Sequence, residues 1–283
     1  MSSGIAPGGA RPPLLEVDAL RFGPGGRALA EPLSFSLEAG HCLVLLGPNG
    51  AGKTSLLRTL IGALPPVDGQ VRWGGRALAE LTERERAAQV AFAAPRTPDA
   101  ADFTVEHLVL VGRVAARGLF AAPTAADREQ VDRALAQLGL ERLRHRSLTD
   151  LSDGERQLAQ IARALVQGAS ALVLDEPAAS LDWSRQCALI ATLRSLATQG
   201  QAIVLSTHDP NHALALADQV LLWQPDGRIH WGPAAELLRP ETLSKIYGVP
   251  VQLLVAEDGS RVFGVAQRNQ GRSYDDSGLP PLT

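Results

Sequence analysis

Cys42–Leu46 reads CLVLL, and the residues that follow it, Gly47–Thr54, read GPNGAGKT. A continuous apolar run of this length is what a strand buried on both faces of a parallel sheet requires. The second stretch fits G-x-x-x-x-G-K-[ST] and stands between that strand and a helix predicted over Lys53–Gly62. The glycines let the backbone curl so that successive N–H groups point inward at phosphate oxygens. The start of the helix adds the positive end of its dipole. Lys53 would reach the β- and γ-phosphates of a nucleotide, and the Thr54 hydroxyl would ligate Mg²⁺. The candidate nucleotide contacts are therefore Gly47, Pro48, Asn49, Gly50, Ala51, Gly52, Lys53, Thr54 and Ser55.

Two further buried-strand runs lie downstream. Ala171–Pro177 reads ALVLDEP, and Asp175 and Glu176 close that strand. The carboxyl ends of strands form the ligand crevice of a parallel sheet. Asp175 would hold Mg²⁺ there, directly or through water. Glu176 would orient or deprotonate an attacking water. Two adjacent carboxylates at a strand end also suit a solvated turn, and the phosphate loop upstream weighs against that reading. Ala202–Pro210 reads AIVLSTHDP. His208 could reach a γ-phosphate, although a lone histidine at a strand end reads first as a cap or a surface residue.

The rest of the chain fits one compact unit over residues 14–266. A Gly/Pro/Ser-rich arm (1–13) and a similar tail (267–283) are expected to be disordered. Leu14–Phe22 and Leu33–Leu37 read as strands near a sheet edge, the second alternating apolar and polar residues (LSFSL). Gln70–Trp73 and Val90–Ala94 are further short strands. A mainly helical block spans about residues 96–168, and Trp183–Thr198 is a helix between two buried strands, which implies right-handed crossovers. A hairpin around Pro225–Gly227, a helix over Pro233–Tyr247 and weak strands at Val251–Val255 and Val262–Val265 complete the pattern.

Composition narrows the function classes. The chain has 283 residues, 45% of them hydrophobic, and a formal net charge of −3. That balance, without a Lys/Arg run, argues against an electrostatic nucleic-acid binder. The two cysteines, Cys42 and Cys187, show no metal or redox spacing. No run reaches the about 18 nearly uncharged apolar residues that a membrane helix needs. The N-terminus lacks the apolar core of a secretory signal. If the protein serves transport, another chain must supply the membrane path.

Leu151–Gln157 reads LSDGERQ, followed by a helix and then by the ALVLDEP strand. Ser152 and Glu155 form an S-x-x-E capping box, so a helix begins there and its N-terminus is an anion site. With this segment the chain resembles the ABC ATPases, whose LSGGQ signature stands just before the second carboxylate strand. The resemblance covers roughly Leu14–Val265. It implies the α/β fold of that family: a P-loop NTPase parallel-sheet core with an antiparallel β edge and an inserted helical subdomain. It also implies ATP hydrolysis with Mg²⁺, and a head-to-tail pair of subunits. In that pair the signature residues Leu151, Ser152, Asp153, Gly154 and Glu155 would meet the γ-phosphate bound to the second subunit. Phe22 matches the aromatic that stacks on adenine. Ser180-Leu181-Asp182 matches the D-loop, with Asp182 reaching the opposite subunit. His208 matches the switch histidine. Two departures stand out. Pro95 or Arg96 occupies the place of a glutamine that contacts Mg²⁺ and relays nucleotide state. Asp153 replaces a glycine, and near a γ-phosphate its carboxylate is expected to point away.

Three stretches resemble the importer ATPases for iron–siderophore complexes, haem and cobalamin. They are TVEHLVLVGR (Thr104–Arg113), AADREQVDRALAQLGLERL (Ala125–Leu143) and GPAAELLRPETLSKIYGVPV (Gly232–Val251). That branch implies paired transmembrane permeases docked around Val90–Arg113, a substrate-binding protein beyond them, and a peripheral place on the cytoplasmic face of the cell membrane. The alternatives are an ATPase for another metal or small solute and a regulatory cassette without transport.

Overall fold

A computed structural model describes residues 13–94, 103–117 and 122–266. In chain order, β1 (Leu15–Arg21) and β2 (Leu33–Leu37) precede β3 (Cys42–Leu46) and α1 (Lys53–Leu60). Next come β4 (Asp68–Trp73), β5 (Arg76–Ala77), α2 (Glu83–Gln89) and β6 (Val90–Ala93). The helical block holds α3 (Val105–Arg117), α4 (Ala125–Gln137) and α5 (Asp153–Val166). Alternation resumes with β7 (Ala171–Leu174), α6 (Trp183–Thr198), β8 (Ala202–Thr207) and α7 (Pro210–Leu216). The chain then forms β9 (Gln219–Trp223), β10 (Ile229–Pro233), α8 (Ala234–Leu237), α9 (Pro240–Tyr247), β11 (Val251–Val255) and β12 (Arg261–Val265).

The main sheet runs β10-β9-β3-β8-β7-β6. β3 pairs parallel with β8 and β9, and β7 pairs parallel with β8 and β6, while β10 returns antiparallel on β9. The parallel register puts Leu46 of β3 opposite Thr207 of β8, and Leu174 of β7 opposite Leu205. The carboxyl ends of these three strands therefore share one edge of the sheet, where crossover topology leaves a crevice.

The CLVLL run shows why the sheet is central. Cys42, Val44 and Leu46 feed the core shared with the helical block, and Leu43 and Leu45 feed a second core against α1 and the first strands. All five residues are fully buried. Strand residues alternate between faces, so only a run that is apolar throughout suits a sheet covered on both sides. β7 and β8 divide their residues between the two cores in the same way.

One expectation is met and one needs correction. Leu14–Phe22 and Leu33–Leu37 are strands near a sheet edge, as expected, in an antiparallel sheet of order β2-β1-β4-β5 separate from the main one. That sheet packs face-on, with Val17, Phe35, Val71 and Trp73 in the second core. Pro233–Tyr247 is not one helix. Pro240 takes the first helical position of α9 and holds Arg239 extended at φ −120°, ψ 147°, so the chain breaks between α8 and α9. The expected tail, nearly all of the expected arm, and Pro95 and Arg96 lie outside the described residues.

Candidate nucleotide site

The loop between β3 and α1 curls as the motif requires. Gly52 sits at φ 101°, which a residue with a Cβ adopts only under strain, and it caps α1. Residues Asn49 through Ser55, together with Glu176, line a cavity of about 270 Å³. Lys53 is 5% exposed. Its Nζ donates to the carbonyls of Gly47 (2.7 Å) and Pro48 (3.0 Å) and lies 3.4 Å from Glu176 Oε1. One cation thus ties the phosphate loop to the carboxylate at the end of β7.

Glu176 continues that chain of contacts. Its Oε2 lies 2.9 Å from His208 Nδ1. Its backbone stands at φ 47°, in the left-handed region. For a residue with a Cβ this costs about 1–2 kcal/mol, a strain that persists only where neighbours impose it. One neighbour is Ser206, which sequence reading passed over as part of a strand. Its buried hydroxyl donates to Asp175 Oδ1 at 2.7 Å and accepts the Glu176 N–H at 2.9 Å. Asp175 itself is 4% exposed. Tyr247 was also missed: its hydroxyl donates to the main-chain oxygen of His208 at 2.8 Å. The only signal for Ser206 is a hydroxyl interrupting an apolar run; Tyr247 left none.

Thr54 and Asp175 offer a hydroxyl and a carboxylate. An all-oxygen pair fits Mg²⁺, which keeps water and phosphate ligands alongside one or two protein oxygens. No group of three His, Cys, Asp or Glu able to hold a metal stands together among the described residues. The few protein oxygens suit a cation held partly by nucleotide phosphates.

The LSDGERQ segment builds the helix start it promises. Ser152 Oγ accepts the Glu155 N–H at 3.3 Å, and Glu155 Oε2 accepts the Ser152 N–H at 3.0 Å. That N–H, with the Ser152 hydroxyl and Arg185 adding, holds the Glu155 carboxyl below the usual carboxylate range. Asp153 turns to solvent, 81% exposed, and accepts from Arg156 at 2.6 Å. Leu151 is buried. Gly154 allows a close approach: a Cβ there would stand 2.7 Å from the Ser180 carbonyl. Asp182 caps α6, and Arg185 one turn on reaches Glu155 Oε1 at 3.4 Å. The signature and D-loop residues therefore form one surface. The phosphate loop, Asp175, Glu176 and His208 form another. No hydrogen bond or ion pair links the two surfaces among the described residues.

Phe22 is corrected. The expectation was an aromatic with a free face for adenine. The side chain is 0% exposed and belongs to the second core, close to Gly52. A ring enclosed on both faces offers no stacking platform.

A strand–loop–helix phosphate cradle joined to two strand-end carboxylates, on a doubly covered parallel sheet, defines the P-loop class of nucleotide-binding proteins. The model of the ABC transporter family matches residues 30–179, just over half of the chain. An uncharacterised ABC transporter ATP-binding protein of Haemophilus influenzae is 35% identical over 241 residues, 85% of this chain and 92% of that protein. A hemin import ATP-binding protein, HmuV, of Rhodopseudomonas palustris is 38% identical over 245 residues, 83% of this chain and 88% of its own. Among solved structures, an inward-facing ABC transporter described as metal-chelate type superposes with a TM-score of 0.78 at 29% identity, covering 91% of this chain and 99% of that one. The chain belongs to the ABC transporter family as its ATP-binding, ATP-hydrolysing subunit, a kind of subunit that works with transmembrane permease partners. No helix among the described residues is long and apolar enough to cross a membrane.

Proposed function

We propose that this subunit powers the import of an iron–siderophore complex, haem or cobalamin. The observation that carries the reading is the reach of the hemin-import relatives. Their match extends over 79–87% of the chain, well beyond the residues 30–179 common to the family. It is accompanied by the importer-like stretches Thr104–Arg113, Ala125–Leu143 and Gly232–Val251. The subunit sits on the cytoplasmic face of the membrane beneath paired permeases, fed from the far side by a substrate-binding protein.

In this reading ATP lies with its phosphates in the cradle from Gly47 to Ser55 and its β- and γ-phosphates at Lys53. Thr54 and Asp175 would hold Mg²⁺, which would neutralise phosphate charge. Glu176 orients or deprotonates the water that attacks the γ-phosphorus, and His208 holds the γ-phosphate. A second copy, head to tail, brings its α5 N-terminus, from Leu151 to Glu155, against the same γ-phosphate, with Asp182 at the shared surface. Binding closes the pair, hydrolysis reopens it, and the difference in affinity between the two states moves the permease.

The test is ATP hydrolysis by the subunit assembled with its permease. It is measured with and without binding protein loaded with a siderophore–iron complex, haem or cobalamin. Stimulation by one of them names the cargo; basal hydrolysis that ignores all three refutes the iron-chelate and cobalamin reading. Replacing Glu176 with Gln removes the base and is expected to lower kcat by roughly 10²–10⁴ while retaining an ATP-bound dimer. Parental turnover in that variant refutes the role given to Glu176.

A further inference from the structure

The chain after residue 179 lies outside the residues matched by the family model, and its helix α9 reaches the hydrolytic residues. Tyr247, the final residue of α9, donates its hydroxyl to the His208 carbonyl at 2.8 Å. The ring of the same His208 meets Glu176 at 2.9 Å. The Tyr247 hydroxyl is raised above its ordinary pKa by burial, with the carboxylates of Asp209 and Glu176 adding to the effect. It therefore stays a protonated donor at any working pH.

The segment after His208 is held by the same C-terminal unit at a second point. Asn211 donates to the Phe263 carbonyl at 3.1 Å and accepts the Phe263 N–H at 2.7 Å, which fastens β12 to α7. Ser244 Oγ accepts the Val251 N–H at 2.8 Å and joins α9 to β11. Leu243 and Ile246 bury α9 in the main core. The four residues from His208 to Asn211 are thus gripped at one end by Tyr247 and at the other by β12.

From this geometry we infer that Tyr247 is a positioning residue for hydrolysis: its hydroxyl fixes the His208 main chain, and with it the direction of the His208 ring toward Glu176. The α9–β12 unit then belongs to the hydrolytic site. A tyrosine serving only to anchor α9 would be replaceable by phenylalanine without kinetic effect, since the ring and its burial are kept. The inference rests on His208 acting at the γ-phosphate as proposed above.

The experiment compares Tyr247→Phe, His208→Ala and the double variant in the full-length chain, reading kcat, KM for ATP and Tm. Tyr247→Phe is expected to lower kcat about fivefold, which is about 1 kcal/mol. KM should stay within about twofold, because the hydroxyl is not a ground-state contact with ATP. In the His208→Ala background the same change should cost nothing further, because its effect passes through His208. Parental kcat in Tyr247→Phe, or a second fivefold loss on top of His208→Ala, overturns the inference. If His208→Ala itself turns over at the parental rate, the role of His208 fails, and this inference with it. If His208→Ala falls and Tyr247→Phe does not, only the inference fails. Should Tyr247→Phe also melt early, Ser244→Ala is the reference, since it loosens α9 from β11 without touching the Tyr247 hydroxyl or the segment from His208 to Asn211. An equal kcat loss there at equal Tm refutes positioning by Tyr247, and an intact kcat supports it.

Discussion

Ser206→Ala deletes one oxygen at the point where the two strand-end carboxylates are joined. The hydroxyl is fully buried, donates to Asp175 Oδ1 at 2.7 Å and accepts the Glu176 N–H at 2.9 Å. The first bond is to a carboxylate 4% exposed, and bonds to charged groups contribute about 1.5–3 kcal/mol; the second is neutral and contributes about 1 kcal/mol. Alanine leaves the buried Asp175 carboxylate short of a donor and the Glu176 N–H without its acceptor. The expected destabilisation is about 2.5–4 kcal/mol. At roughly 2–4 °C per kcal/mol for a chain of this size, Tm falls by about 5–15 °C. A second effect is separable. Glu176 holds φ 47°, a conformation with an intrinsic cost of about 1–2 kcal/mol. Without Ser206 the backbone has reason to relax, and the carboxylate leaves its place between Lys53 and His208. Turnover should therefore fall in molecules that remain folded, with KM for ATP little changed. Calorimetry gives the first quantity, and ATP hydrolysis well below the variant's Tm gives the second. A Tm within about 1 °C of the parent together with unchanged turnover would mean that the hydroxyl holds neither group, and the reasoning would be wrong.

Two more outcomes follow from burial. Phe22→Ala removes a 0% exposed ring and is expected to cost about 3–5 kcal/mol of stability, with KM for ATP unchanged in the folded protein; a raised KM at parental Tm would return Phe22 to the nucleotide. Cys42 is fully buried, and burial, with Asp218 adding, pushes its thiol up to about 11, while Cys187 is exposed. A thiol reagent near neutral pH should therefore label one cysteine per native chain and the second only on unfolding; two fast labels would contradict the burial of Cys42.

Local patterns made the nucleotide side of the molecule legible. The loop Gly47–Thr54 carries its own geometry in its glycines, CLVLL declares a strand covered on both faces, and Ser152 with Glu155 announces a helix start. Each of these depends on residues within a few positions of one another. What stayed hidden depends on the path of the chain. Phe22 ends an expected strand, where an aromatic matched to adenine stacking can equally be enclosed by the core; only the packing around Gly52 decides. Leu14–Phe22 and Leu33–Leu37 have the alternation of half-buried strands, which says that one face is covered but not by what. Tyr247 meets His208 across 39 positions, and no periodicity encodes such a contact. Ser206 looked like an ordinary strand residue because its two partners are on another strand's end.

Val105, Leu108, Val131, Leu135 and Leu158 of the helical block share one buried cluster with Val44 and Leu46 of the central strand. A lobe on a flexible hinge would have its own core and a wet seam. Here the block and the sheet share one buried apolar cluster, and packed protein interiors transmit displacement rather than absorb it. A push on α3 therefore has a continuous packed path to α5, and so to the edge that bears Ser152, in the manner of a gear train rather than a spring.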